Sequence, residues 1–324
     1  MEKEGKKMGG KGMKRLFFLG LAAAMFLGCG GKPKNRLTLV LDWFPNADHV
    51  PIYVAKEKGF FADEGIDLKI VVPSDPSDPQ KLVASGKADI GVSYMPQVVI
   101  ARSEGLPVKS IGVLVAHPLT TILFLEESGI KKPEDLEGKR VGYSVPHMME
   151  ILFRAFCEKN GVDTSKIDLI HVGFNLTPSL LSGKVDAVIG AYRNYEKNEI
   201  ELEGKKASFF PLEKYGLPDY YELVFITSEE NLTEKRKLLA GFLRAMDRAL
   251  KFVREKPEEA LDLYFRANPD VRKDLDRKAF HDTLPLYAEV TAQDPARWKE
   301  FADFALKWGL ISREVKPGDL YGMP

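Results

Sequence analysis

Cysteine is almost missing from this chain: 324 residues hold two, Cys29 and Cys157. Two thiols far apart cannot build a disulfide framework or a thiolate metal site. Cys157 lies at helical spacing from Phe153 and Phe156 and reads as a small buried residue, not a reactive thiol. Glycine-rich phosphate loops of the G-x-x-x-x-G-K-[ST] and G-x-G-x-x-G kinds are absent, as are H-E-x-x-H and G-x-S-x-G. The five histidines, His49, His117, His147, His171 and His281, show no metal-ligand spacing. No catalytic residue, metal or cofactor is therefore expected, and no enzymatic activity. No apolar run reaches the roughly 20 residues that cross a bilayer as a helix. Charge of one sign is also lacking, with 47 basic against 47 acidic residues, so no footprint for nucleic acid is expected.

What the chain does have begins at its N-terminus. The basic stretch ending in Met13-Lys14-Arg15 runs into apolar Leu16 to Leu27 and then Gly28-Cys29. That order of charge and a short apolar run is an export signal, assigned to residues 1–28. Phe26-Leu27-Gly28-Cys29 resembles the bacterial lipobox, which implies cleavage before Cys29 and lipidation of its sulfur. An ordinary signal peptide with an incidental cysteine is the plainer alternative. Acyl chains on Cys29 would hold the protein on the periplasmic or extracellular face of a bacterial membrane without spanning it. Residues 29–35, with Gly30, Gly31 and Pro33, suit a tether. Without residues 1–28 the chain keeps 41 basic and 45 acidic residues. The roughly 296 residues that remain are many for one core, so two lobes are expected.

Patterning supports an α/β class. Strands are expected at Leu37 to Leu41, Ile66 to Val72 and Ala88 to Tyr94, with helices at Ile52 to Lys58 and Pro79 to Ser85 between them. The same order recurs with strands at Arg140 to Ser144, Asp168 to Val172 and Asp186 to Ala191, and helices at Met148 to Asn160 and Pro178 to Ser182. Alternating strands and helices predict parallel-rich sheets. Ser85-Gly86-Lys87-Ala88-Asp89 and Ser182-Gly183-Lys184-Val185-Asp186 mark the same helix-to-strand joint in each half. From Asn231 the chain turns helical, with Leu238, Leu239, Phe242, Leu243, Met246, Leu250 and Val253 at three- and four-residue spacing. Further helices are expected at Pro257 to Phe265, Arg272 to Glu289 and Pro295 to Lys307.

Polar and aromatic residues cluster just past the C-terminal ends of the expected strands, where open α/β sheets bind ligands. Trp43, Asn46 and His49 follow the first strand, Tyr94 and Gln97 the third, Tyr143 and Ser144 the fourth, and Tyr192, Asn194 and Glu196 the sixth. Aromatic faces can stack on a flat heterocycle while amides and carboxylates bond its edge. These ten residues are the candidate ligand-binding set, and they point to a small heteroaromatic ligand. A sulfonate or nitrate would call for cations, and the clusters offer only Arg193.

Asp42 to His49, Tyr53 to Phe61, Leu82 to Asp89, Gly105 to Val108, Leu136 to Gly142 and Asp186 to Gly190 together resemble the SsuA/Nmt1-type periplasmic binding proteins over about residues 36–255. Asp42-Trp43-Phe44-Pro45-Asn46 and Gly190 to Glu196 look most like the branch that binds formylaminopyrimidine, a thiamin precursor. The resemblance implies a two-lobed, type II binding-protein fold. Its first lobe would take residues 36–120 and be completed by 226–324, its second would take 121–225, and crossovers would lie near 119–125 and 222–228. It further implies a monomer that hands its ligand to the permease and ATPase of an ABC importer. Riboflavin, another aromatic or a sulfonate is the alternative ligand. The pyridoxal-phosphate-dependent synthase of the thiamin pyrimidine is the alternative class. In that enzyme the consumed histidine would fall on Gln97, and the iron-binding cysteines near Leu217 to Phe225, where this chain has none.

Overall fold

A computed structural model describes residues 35–324, so the export signal, Cys29 and nearly all of the tether lie outside the described residues. Within them the chain forms two lobes, each built on a five-stranded sheet. The first sheet has the order β2-β1-β3-β10-β4, with β1 Arg36–Val40, β2 Asp67–Val71, β3 Ile90–Ser93, β4 Val108–Val115 and β10 Leu223–Ser228. The second has the order β7-β6-β8-β5-β9, with β5 Thr120–Leu125, β6 Arg140–Tyr143, β7 Asp168–His171, β8 Ala187–Tyr192 and β9 Ala207–Pro211.

Each β-α-β-α-β run pairs in parallel, β1 with β2 and β3, and β6 with β7 and β8. The sheets are nonetheless mixed, not parallel-rich. Strand β10 arrives from the second lobe and runs antiparallel to β3 and β4. Strand β5 arrives from the first lobe and runs antiparallel to β8 and β9. The connections between lobes occupy residues 116–119 and 212–222, because 120–125 and 223–228 are spent on these inserted strands.

The repeated joint has a physical role in both lobes. Gly86 and Gly183 take φ of +69° and +70°, the left-handed conformation that stops a helix without strain only in glycine. Three residues on, the Asp89 carboxylate accepts the Thr38 N–H at 2.7 Å, and the Asp186 carboxylate accepts the Arg140 N–H at 2.9 Å. Each aspartate thereby ties the third strand of its unit to the first.

The chain from Glu229 onward is helical and covers the first lobe. Helix Arg236–Glu255 lays Phe242 against Phe61, stacked at 5.3 Å, and against Phe225, edge-on at 5.0 Å. The helix expected over Arg272 to Glu289 is shorter, Lys273–Thr283, and gives way to a single tight turn at Leu284–Leu286. Pro285 has no N–H to continue the α-helical ladder. Cys157 is fully buried, as its spacing predicts. Among the described residues no helix is long and apolar enough to cross a membrane.

Candidate functional site

The chain leaves β1 at Asp42, turns, and re-enters structure at Asn46. The Asn46 side chain accepts the Asp48 N–H at 2.9 Å and so starts the short turn Ala47–His49 and the helix Val50–Glu57 behind it. This capping spends the amide oxygen and leaves the Asn46 NH2 for other partners. His49, wholly buried below, accepts the Asn46 N–H on Nδ1 at 3.4 Å and donates from Nε2 to Asp42 at 2.8 Å. Tyr94, at the end of β3, donates its hydroxyl to the other Asp42 oxygen at 3.0 Å. Burial and the nearby Asp42 charge hold the Tyr94 phenol well above its usual range.

The second lobe supplies the opposite wall. Glu196 opens the helix Glu196–Leu202 and accepts the Tyr192 N–H at 2.6 Å. Burial pushes the Glu196 carboxyl up to about 8, so it keeps its proton at neutral pH. The Tyr192 hydroxyl is buried with no hydrogen-bond partner among the described residues. Gly190, with φ of +98°, forms part of the floor beside Ser144 and Met149.

These pieces form a partly open cavity between the lobes, lined by Asp42, Trp43, Asn46, Tyr94, Ser144, Met149, Gly190, Tyr192, Tyr195 and Glu196. Four aromatic side chains and two carboxyl groups line it. Among the described residues no lysine or arginine does, and Arg193 is engaged with Glu213 at 2.9 Å.

Of the ten residues expected at the site, Trp43, Asn46, Tyr94, Ser144, Tyr192 and Glu196 line this cavity. The other four stand elsewhere. His49 lies beneath Asp42 and orients it. Gln97 sits one turn into the helix Met95–Ser103, accepts the Ser93 hydroxyl at 2.8 Å, and faces a separate groove with Gln80 and Lys81. Tyr143 packs on His171 with ring centres 5.3 Å apart. Asn194 is buried and donates to Asp48 at 2.8 Å and Thr283 at 2.6 Å, a bond between lobes in place of a ligand contact. The site gains Asp42, Met149, Gly190 and Tyr195. Asp42, Gly190 and Tyr195 lie within the clusters and motifs already singled out, whereas nothing in the sequence marks Met149.

Further buried acids lie close to Tyr192 and Tyr195 in the cavity wall. Burial raises Asp48 to about 6, Glu222 to about 7, Asp276 to about 7 and Glu196 to about 8. Glu222 stays elevated although it accepts the Leu119 and Thr120 N–H groups and the Thr120 hydroxyl. Below about pH 4 such acids are protonated in folded and unfolded chains alike. As pH rises further the unfolded chain sheds protons that the folded chain keeps, so stability falls until these groups titrate between about 6 and 8. The surface carboxyls held low by partners, such as Asp186 beside Arg140 and Glu64 beside Arg244, titrate below this window. Melting curves of the ligand-free protein are therefore expected to show Tm dropping from pH 5 to pH 8. A Tm that rises over that window would show these acids to be ionised in the fold.

Relatives fit this geometry from two directions. The formylaminopyrimidine-binding protein of Halalkalibacterium halodurans is 37% identical over 274 residues, covering 82% of this chain and 83% of that protein. The 4-amino-5-hydroxymethyl-2-methylpyrimidine phosphate synthase of Legionella pneumophila is 35% identical over 291 residues, covering 89% and 91%. That second relative corrects the expectation of no enzymatic activity: proteins named as synthases align along nearly the whole chain, so missing catalytic signatures do not set this chain apart from enzymes. In fold, the alkanesulfonate-binding protein SsuA of Xanthomonas axonopodis superposes with a TM-score of 0.72 at 15% identity, covering 91% of this chain and all of that one. The two lobes thus have the periplasmic-binding-protein fold. With the NMT1/THI5-like sequence profile matching residues 46–260, the chain belongs to the NMT1/THI5-like family.

Proposed function

We propose that this protein binds an amine-bearing pyrimidine of thiamin metabolism, such as formylaminopyrimidine, and delivers it to an ABC importer. The observation that carries the reading is the cavity's lining of Trp43, Tyr94, Tyr192 and Tyr195 with Asp42 and Glu196 and no basic side chain. Aromatic faces take a flat ring, and a carboxyl group pairs with an exocyclic amine and its neighbouring ring nitrogen. A sulfonate would meet two acids here. The relative named as a formylaminopyrimidine-binding protein supports the same ligand class. Ligand would be held in the cleft by the two lobes, and the protein would act as a monomer with the permease and its ATPase as partners.

The test is a thermal-shift and calorimetry screen of residues 34–324 against formylaminopyrimidine, the hydroxymethylpyrimidine, thiamin, riboflavin and taurine. A ligand at one hundred times its Kd stabilises by about 2.7 kcal/mol, so the pyrimidines should shift Tm by several degrees. A shift with taurine or riboflavin alone would replace the ligand. We further propose that the protein is exported and held on the membrane through lipidated Cys29. Cys29→Ala is expected to move the full-length protein from the membrane to the soluble fraction, and unchanged membrane association would remove the anchor.

A further inference from the structure

Trp43 belongs to the first lobe by sequence and to the second by packing. It follows β1, yet its ring packs against the second lobe's apolar cluster of Leu123, Val172, Leu176 and Val188. On that side it meets Phe174, carried on the turn between β7 and the helix Leu176–Leu181. The Trp43 and Phe174 rings stand edge-on, 4.5 Å between centres with planes at 82°. Phe174 also touches Phe44, 4.7 Å away and tilted by 48°. Phe44 is half exposed, so this group forms the outer rim of the lobe boundary, while Trp43 alone of the three lines the cavity. Gly173, at φ +54°, takes the left-handed turn that brings Phe174 there.

We propose that Phe174 is a positioning residue: it clasps Trp43 across the lobe boundary, so that stacking of a ligand ring on Trp43 and closure of the two lobes become one event. The proposal rests on the reading of Trp43 as a stacking face. Phe174 itself does not line the cavity. Parting the lobes would separate Trp43 and Phe44 from Phe174 and expose apolar ring surface to water, so the clasp opposes opening and slows release. Edge-on aromatic pairs contribute enough for about a three- to tenfold change in an equilibrium or rate each. Two pairs meet at Phe174, and the charge-free contact predicts little effect on the rate of encounter.

Stopped-flow tryptophan fluorescence with formylaminopyrimidine tests this directly. Phe174→Ala should release ligand about tenfold faster, with the association rate within about twofold of the parent, and Phe174→Tyr should restore slow release. A second measurement needs no pyrimidine. In protein labelled with 5-fluorotryptophan, the Trp43 resonance, assigned through Trp43→Phe, should shift in Phe174→Ala and return in Phe174→Tyr. Unchanged release from Phe174→Ala would overturn the clasp, as would an unmoved Trp43 resonance, even if the variant melts at a lower temperature. Parent protein that binds no pyrimidine would remove the functional reading, and the fluorine resonance would then still decide whether Phe174 holds Trp43.

Discussion

Glu196→Ala is expected to weaken pyrimidine binding ten- to hundredfold, while Glu196→Gln keeps most of the affinity. The difference follows from the state of the carboxyl group. Burial raises its pKa to about 8, so at neutral pH the folded protein presents a carboxylic acid with one O–H donor and one carbonyl acceptor. An aminopyrimidine offers the matching pair, a ring nitrogen that accepts and an amine that donates. An amide side chain reproduces that pattern, whereas alanine leaves the ligand's polar edge buried and unpaired, a loss of about 1–3 kcal/mol. Glutamine can also accept the Tyr192 N–H that Glu196 now holds at 2.6 Å.

The pH profile of binding provides the sharper form of this prediction. If the bound complex keeps the Glu196 proton, affinity should be level near neutrality and fall about tenfold per unit once pH passes about 8, where the free protein gives that proton up. In Glu196→Gln that alkaline fall should vanish. Calorimetry at pH 7, 8 and 9 on both proteins checks it. A parent affinity that rises from pH 7 to 9, or a glutamine variant as weak as the alanine one, would mean that Glu196 binds as a carboxylate.

Much of the fold is legible in the sequence because its two parallel units repeat. The strands and helices between Arg36 and Ser93, and again between Arg140 and Tyr192, fall within a few residues of their expected places. Both units close with the same glycine turn and strand-pinning aspartate. The inserted strands β5 and β10 are harder to read, since all six residues of each are buried. A strand covered on both faces shows no alternation, and its partners lie far away in sequence. The site divides along similar lines. Residues at the last position of a strand or just after it, such as Tyr192, Tyr94 and Ser144, reach the cavity. Gln97 and Asn194 lie further on, where the direction of the following turn decides what a side chain meets. Sequence alone also does not say that His49 spends both ring nitrogens within its own loop.

Gly190→Ala is expected to reduce affinity at least a hundredfold and to lower Tm by several degrees. A Cβ at this position would stand 2.5 Å from the Ser144 hydroxyl oxygen and 3.3 Å from the Met149 methyl, both in the cavity wall. The backbone there has φ of +98°, which costs a non-glycine residue about 1–3 kcal/mol by itself. The two penalties have different cures. Adding Ser144→Ala to Gly190→Ala removes the hydroxyl that the new methyl strikes and should recover part of the affinity, but it cannot relieve the backbone, so Tm should stay depressed. A loss of binding that Ser144→Ala does not touch would assign the whole effect to backbone strain in β8. Full recovery of both affinity and Tm would show that the chain at Gly190 relaxes out of the left-handed region once the clash is gone. Partial recovery of affinity at an unchanged, lowered Tm is the result that makes Gly190 the residue whose missing side chain leaves room for the ring.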